Sequence, residues 1–245
     1  MGVLCELEDF YLSFRGEKFI IGRSTENRPI YCFKVQKSVQ PKVIVQYAIH
    51  AREYITTYLA LKQIEEFMLN GRVGCVFFIP AMNPDGIVIS QNYKSLYKAN
   101  ANGVDLNVNF DARWGQGEKN VKIPGDENYI GEHPFSEPET RALRDFTLLV
   151  KPKATISYHS KGEEIYYSGK DYALALKLAK TTGYTLKQTP YSAGGYKDWC
   201  VEKLNICAFT IEVGKDSLSH PIGREHLKEI YQKNKNVIKT LTENI

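Results

Sequence analysis

Several features that would assign a chain to a broad class at once are missing from this 245-residue sequence. No run of five or six basic residues occurs, and the formal net charge of +4 is spread along the chain, so nucleic-acid binding is not expected. No apolar stretch approaches the roughly 20 residues of a membrane-spanning helix, so membrane insertion is not expected either. Internal repeats and linkers rich in proline or serine are also missing. The sequence therefore predicts one domain over residues 1–245.

Cysteine is scarce, and its five residues are an odd number without a C-x-x-C motif. Cys75 and Cys207 lie in or beside apolar runs, which is typical of buried, reduced thiols. The first residues also lack the basic segment and the long apolar segment of a secretory signal. Both observations predict a cytoplasmic protein, whereas the sequence leaves the oligomeric state open.

What the sequence does contain is a set of short apolar runs that alternate with helical patterns. Strands are predicted over residues 43–49, 75–81, 154–158 and 208–213, and helices over residues 54–70, 136–150 and 228–241. The Asn-Pro-Asp-Gly segment at 83–86 predicts a turn. A polar, glycine-rich stretch at 114–134 predicts a long loop, either a functional rim or a plain surface excursion. Apolar strands that alternate with helices predict an α/β sheet covered on both faces.

Only five histidines occur, and two of them follow predicted strands. His50 ends the first run and Glu53 lies three residues later, while His159 comes directly after another run. In open α/β sheets the ligand site lies beyond the carboxyl ends of the strands. Two histidines and one glutamate, with a fourth position left to water, form a hydrolytic zinc set. On its own the H-x-x-E pair is a weak signal, and it favours a hydrogen-bonded histidine at the strand end and a glutamate stabilised by the helix dipole.

Further motifs follow in a fixed order, and together they are much more specific. The order is His50-Ala51-Arg52-Glu53, Asn83-Pro84-Asp85-Gly86, GVDLNVNF at 103–110, Tyr158-His159-Ser160 and Thr210-Ile211-Glu212-Val213-Gly214. This order, which extends from about Arg23 to Gly214, resembles the zinc metallocarboxypeptidase family. The resemblance implies one α/β domain with a mixed, largely parallel eight-stranded sheet between helices, and one zinc ion per chain.

The resemblance also implies roles for individual residues. The metal ligands would be His50, Glu53 and His159, and Glu212 would be the catalytic acid/base. An unpaired carboxylate inside an apolar strand would otherwise be costly, which agrees with a function for Glu212. Asp105 matches a residue that accepts a hydrogen bond from the second nitrogen of His50. Lys98 would stabilise the oxyanion, with Lys94 as a nearby alternative. Arg52 would contact the substrate away from the scissile bond, and Asn107 would also bind the substrate.

Two positions depart from a typical carboxypeptidase. Val108 stands where the family's N-R-N motif has an arginine that pairs with the free α-carboxylate of the substrate, and valine cannot form that pair. Lys197 lies in a segment similar to the family's G-G-x-x-D-W. The resemblance implies that it occupies the base of the specificity pocket. A buried lysine there would select an acid, and a lysine that reaches solvent is the alternative. The family's mobile tyrosine has no exact counterpart, and Tyr191 or Tyr196 is predicted to replace it.

The departures, together with the run from Lys98 to Asn107, resemble murein tripeptide amidases and γ-D-glutamyl-diaminopimelate endopeptidases. We therefore predict a zinc peptidase or amidase that cleaves the γ-D-glutamyl-diaminopimelate bond of a peptide or muropeptide. Three alternatives remain open. A general metallocarboxypeptidase acting on L-peptides is disfavoured by Val108, and a deacylase of amino-acid conjugates is disfavoured by the long loop. A catalytically inactive muropeptide-binding domain is disfavoured because all the metal ligands and Glu212 are present.

Overall fold

A computed structural model describes residues 2–189 and 192–245, and these residues form one sheet of eight strands. The strands are β1 (Glu17–Arg23), β2 (Pro29–Gln36), β3 (Lys42–Tyr47), β4 (Cys75–Ile79), β5 (Ala154–Ser160), β6 (Glu164–Tyr166), β7 (Thr185–Lys187) and β8 (Cys207–Val213). Their order is β1-β2-β4-β3-β5-β8-β6-β7. The four central strands β4, β3, β5 and β8 are parallel, and β2 and β6 join them in antiparallel pairs. The predicted mixed, largely parallel sheet is confirmed.

Helices cover both faces of this sheet. They are α1 (Val3–Ser13), α2 (Ile55–Asn70), α3 (Pro84–Asn92), α4 (Pro138–Val150), α5 (Tyr172–Thr182), α6 (Tyr196–Leu204), α7 (Leu227–Asn234) and α8 (Val237–Thr242). On β3, Val45 and Tyr47 pack into a core with α1, α2, α5, α7 and α8, whereas Ile44 packs into a second core with α4 and α6. Side chains alternate along a strand, so Gln46 lies on the same face as Ile44. The face covered by α4 and α6 also carries the candidate site.

Two predicted elements differ from the structure for clear reasons. The segment at 83–86 begins helix α3 instead of forming a turn, because the side chain of Asn83 accepts the N–H of Gly86 at 3.0 Å and Pro84 suits the first helical turn. The helix predicted over 228–241 is divided into α7 and α8. At the division the carbonyl of Asn234 accepts a hydrogen bond from Gln63 Nε2 at 2.9 Å, which competes with continuation of the helix.

Three further features concern the cysteines, the hydropathy of the helices and the long loop. All five cysteines are free thiols, and Cys32, Cys75 and Cys200 are buried. Within the ranges that the structure describes, no helix combines the length and the apolar character needed to cross a membrane. The predicted long loop is present, since the residues between 109 and 137 form neither a helix nor a strand.

Candidate functional site

Three predicted metal ligands converge at the carboxyl edge of the central strands. His50 follows β3, a short 3-10 turn over Ala51–Glu53 brings Glu53 back towards it, and His159 lies near the end of β5. The Nδ1 atoms of the two histidines are 3.2 Å apart. The Glu53 carboxylate lies 2.9 Å from the Nδ1 of His50 and 3.0 Å from the Nδ1 of His159. All three side chains are buried. The structure therefore places the three predicted metal ligands together in one buried cluster.

The protonation of these groups suits a divalent cation. Asp105 lies 3.1 Å from Nε2 of His50, and Lys98 Nζ lies 2.7 Å from its other oxygen. Burial raises the pKa of Asp105, but Lys98 and His50 outweigh burial and hold that pKa below its usual range. Asp105 is therefore a carboxylate and only accepts, so Nε2 of His50 donates a proton to it. Burial lowers the pKa of His50, but Glu53 and Asp105 outweigh burial and raise that pKa to about 9, so a cation at the triad would have to displace the proton on Nδ1. Ligand atoms that all lie within 4.8 Å of one another, two of them imidazole nitrogens, fit a zinc ion.

Glu212 lies beside this triad because of strand register. In the parallel pair β5–β8, His159 and Glu212 are direct neighbours and share a face of the sheet. The Oε2 atom of Glu212 is enclosed and has no hydrogen-bond partner among the residues described. Burial, and then the Glu53 carboxylate, raise the pKa of Glu212 well above its ordinary value. A bound cation would oppose this shift, so the carboxyl group is suited to both accepting and donating a proton.

A cleft of about 460 Å³ opens at His50, a volume in the usual range for ligand pockets. Lys98, Asn107 and Val108 line it, together with residues of the long loop. The Lys98 amine contacts Oδ1 of Asn128 at 2.6 Å as well as Asp105. Lys94 is exposed and lines a neighbouring cavity, so the geometry favours Lys98 as the cation nearest the site. The Oδ1 atom of Asn107 accepts the N–H of Tyr196 at 3.3 Å, which holds the start of α6 against the cleft.

Arg52 connects the site to the long loop. It donates to the Leu96 carbonyl at 3.2 Å and to the Glu127 carboxylate at 3.1 Å. Glu127 and Asn128 therefore hold the loop against the two cations that are predicted to touch substrate. The sequence gives no signal for these particular residues beyond the polar character of the stretch at 114–134.

Lys197 occupies a separate cavity of about 190 Å³, which adjoins the cleft through Gln188 and Thr189. Its side chain is only 13 % exposed and its Nζ lies 2.6 Å from Asp198, which favours a lysine of the pocket over a lysine that reaches solvent. Arg113 and Glu202, paired at 2.7 Å, line the same cavity. The cavity therefore presents two cations and two carboxylates, a different environment from the single positive charge that the sequence predicts.

The two tyrosine predictions have different outcomes. Tyr196 is fully buried, and its hydroxyl pairs with Thr147 at 2.8 Å. Tyr196 begins α6, and its ring packs against Phe110 and against Trp199 of the same helix. The side chain therefore faces the core and not the cleft, contrary to the prediction that it contacts substrate. Tyr191 lies outside the described residues, and its role stays a prediction.

Comparisons with known proteins agree with this geometry. A family model described as zinc carboxypeptidase matches residues 12–240. A γ-D-glutamyl-L-diamino acid endopeptidase of Lysinibacillus sphaericus is 27% identical over 228 residues, with 76% of this chain and 57% of that protein covered. This chain thus spans little more than half the length of that relative.

Solved structures show the same fold. The structure of bovine thrombin-activatable fibrinolysis inhibitor in complex with a tick carboxypeptidase inhibitor matches with a TM-score of 0.86 at 22% identity, covering 99% of this chain and 96% of that one. The murein-tripeptide amidase of Escherichia coli O157 matches with a TM-score of 0.69 at 24% identity, covering 94% and 92%. Because the family model covers most of its length, the chain belongs to the zinc carboxypeptidase family, whose members use zinc.

Proposed function

We propose that this protein is a zinc-dependent hydrolase that cleaves the γ-D-glutamyl bond before diaminopimelate in peptides derived from cell walls. The observation that carries the proposal is the cavity of mixed charge around Lys197, next to a cleft where Val108 offers no cation to a substrate α-carboxylate. Two similar proteins support the proposal, because the names of both refer to cleavage of peptides of this kind. One is the γ-D-glutamyl-L-diamino acid endopeptidase, which is similar in sequence, and the other is the murein-tripeptide amidase, which is similar in fold.

The charges of the cavity favour a zwitterionic side chain. Lys197 and Asp198 neutralise each other, as do Arg113 and Glu202. A ligand with a single charge that pairs with one member of an ion pair would leave the other member of that pair without compensation, which is unfavourable in a partly buried site. The side chain of diaminopimelate ends in both an amine and a carboxylate, so it can form charge-assisted hydrogen bonds with both members of a pair. Lysine offers the amine alone.

The proposed mechanism assigns a task to each group at the site. His50, Glu53 and His159 would hold zinc, which when bound supplies Lewis acidity and an acidified water. Glu212 would accept the proton of the nucleophile and return it to the leaving amine. Lys98 would place a point charge at the developing oxyanion, and Asp105 would keep His50 in the correct tautomer. Arg52 and Asn107 would contact the substrate away from the scissile bond.

Product analysis tests the proposal directly. The zinc-loaded protein is incubated with L-Ala-γ-D-Glu-diaminopimelate, and mass spectrometry is expected to show free diaminopimelate. The matching tripeptide that ends in L-lysine, which lacks the second carboxylate, is expected to react more slowly. The alternative of a general carboxypeptidase would be supported, and the proposal rejected, by release of ordinary C-terminal residues from L-peptides without any free diaminopimelate.

Val108→Arg is expected to change substrate choice. The guanidinium would supply a bidentate partner for a free α-carboxylate and raise kcat/KM on L-peptides about 10- to 100-fold, as expected for charge-assisted hydrogen bonds. Val108→Met, which adds length without charge, is the matched control and should leave that value nearly unchanged. Steady-state kinetics on a chromogenic C-terminal dipeptide measure both. Equal rates in the two variants would show that residue 108 does not face the substrate carboxylate.

A further inference from the structure

Two consecutive residues of the long loop contact the two cations beside the metal triad. Glu127 accepts a hydrogen bond from Nη2 of Arg52 at 3.1 Å, and Oδ1 of Asn128 accepts one from Nζ of Lys98 at 2.6 Å. The two cations lie on adjacent segments, since the N–H of Ala51 donates to the carbonyl of Lys98 at 2.9 Å. The loop thus presents a carboxylate oxygen and an amide oxygen side by side. We refer to Glu127 and Asn128 as the loop pair.

The guanidinium of Arg52 is only partly used by this contact. Its side chain is 19% exposed, and its Nη1 atom donates to the Leu96 carbonyl at 3.2 Å. Its Nε atom is enclosed and has no hydrogen-bond partner within residues 2–189 and 192–245. Nε and Nη2 lie on one edge of the guanidinium, and a carboxylate that binds such an edge with both oxygens forms the strongest pair. Glu127 contacts Nη2 through Oε1 alone, so this edge can form a better pair than the present one.

Glu127 is held weakly. Its side chain is 59% exposed, and exposed ion pairs contribute little, because water screens them and ordering two long side chains costs entropy. A cavity of about 420 Å³ lies between residues 94–105 and 125–128, so the segment is not packed tightly on this side. Its anchor is Tyr129, whose carbonyl accepts the N–H of Asp105 at 2.9 Å. Glu127 can therefore turn to solvent while the rest of the loop stays in place.

A γ-D-glutamyl substrate offers the same two acceptors as the loop pair. Its scissile carbonyl oxygen would meet Lys98, the proposed cation at the oxyanion. The α-carboxylate of the same D-Glu residue stays free, only a short aliphatic chain away. In an ordinary peptide bond the α-carboxyl group of the acyl residue is consumed in the bond itself. A free carboxylate close to the scissile carbonyl is thus specific to the γ-linkage.

We infer that Glu127 occupies the position of a substrate carboxylate on Arg52, and that the free α-carboxylate of the acyl residue displaces it on binding. The inference rests on the proposed function, but it concerns the acyl side of the scissile bond and not the cavity around Lys197. Displacement of Glu127 also withdraws the adjacent Asn128 from Lys98, which frees that amine for the oxyanion. A substrate that lacks the carboxylate leaves the loop pair in place, so Glu127 acts as a residue that determines specificity.

A pair of tripeptides tests the carboxylate requirement. One is L-Ala-γ-D-Glu-diaminopimelate, and in the other the α-carboxylate of D-Glu is amidated, which removes the charge at almost constant shape. Amidation should lower kcat/KM of the wild type about 10- to 100-fold, the loss expected for hydrogen bonds between charged groups. In Arg52→Met the ratio of the two values should approach one. Arg52→Lys, which keeps a cation without the fork, should retain part of the ratio.

Glu127→Gln separates displacement from a merely structural role of the loop. The variant keeps the shape but weakens the competitor for Arg52, so KM for the free-carboxylate tripeptide should fall about two- to fivefold. KM for the amidated tripeptide should remain nearly unchanged, because that substrate does not displace Glu127. The preference for the free carboxylate therefore increases. If the loop pair served only to hold the loop, the variant would change both KM values in the same proportion.

Asp126→Asn is the matched control. It removes one negative charge from the adjacent exposed residue, which lines the same cavity, and should leave the preference at the wild-type value. Equal rates on the two tripeptides in the wild type would overturn the inference. A preference that Glu127→Gln leaves unchanged or lowers would overturn it as well. A wild-type protein that releases no diaminopimelate from either tripeptide would instead contradict the proposed function, on which the inference rests.

Discussion

Glu212→Gln is expected to lower kcat by about 10²- to 10⁴-fold, the usual contribution of general acid–base catalysis. Glutamine has nearly the same shape as glutamate but cannot accept the proton of the nucleophile. Glu212 does not belong to the triad of His50, Glu53 and His159, so the variant should still bind zinc. Single-turnover rates on the diaminopimelate tripeptide, together with zinc content by atomic emission, measure both expectations.

Glu164→Gln is the control for this variant. Glu164 is the antiparallel neighbour of Glu212 on β6, so the substitution removes a nearby carboxylate without removing the proposed acid/base. Its effect should remain below about tenfold, which corresponds to a pKa change of one unit. If both variants lost activity equally, Glu212 would have no special role. If the wild type bound zinc but turned over no peptide, and Glu212→Gln bound muropeptides equally well, the alternative of an inactive binding domain would be supported.

His159→Ala is expected to abolish stable zinc binding and activity together. The substitution removes one of three protein ligands, so zinc affinity should fall by more than about 100-fold, the upper figure for losing a group that merely orients a ligand. Zinc should raise the melting temperature of the wild type, because a ligand that binds only the folded state stabilises it. The same addition should not affect the variant. Zinc content after dialysis, activity and thermal unfolding with and without zinc are the measurements.

His226→Ala is the matched histidine control. The His226 side chain is 35% exposed and lies 3.6 Å from Glu225, away from the triad. This variant should retain one zinc per chain and wild-type activity. Wild-type protein treated with a chelator should lose activity and regain it when zinc is added. Undiminished zinc affinity in His159→Ala would contradict the ligand assignment.

The central sheet could be predicted from the sequence because four of its strands are near-continuous apolar runs. Such runs have to be buried on both faces, which only a covered, mostly parallel sheet allows. Strands β6 and β7 have three residues each, too few for any periodicity to be visible. Tyr196 shows a similar limit, because the motif around it does not reveal which side of α6 faces the core.

The metal triad could be predicted because its ligands follow strand ends and belong to ordered motifs. The environment of Lys197 could not. Neighbouring residues on a helix do not normally face each other, so the pair between Lys197 and Asp198 was not expected. Counting back two residues from His159 and from Glu212 would have placed Ser157 and Thr210 on the same face. No local pattern shows, however, that the Gln46 amide and the Ser157 hydroxyl have no hydrogen-bond partner among the described residues.

The register that joins His159 to Glu212 separates what is rigid in this site from what can be altered. Backbone hydrogen bonds between β5 and β8 set their spacing, about 4.8 Å between strands, so no reorganisation is needed when substrate arrives. Arg52 and Lys98, by contrast, are held by side-chain contacts with Glu127 and Asn128 of a loop. Loops tolerate insertion and exchange far better than central strands do. Selection can therefore remodel substrate choice through this loop while the hydrolytic chemistry is inherited unchanged.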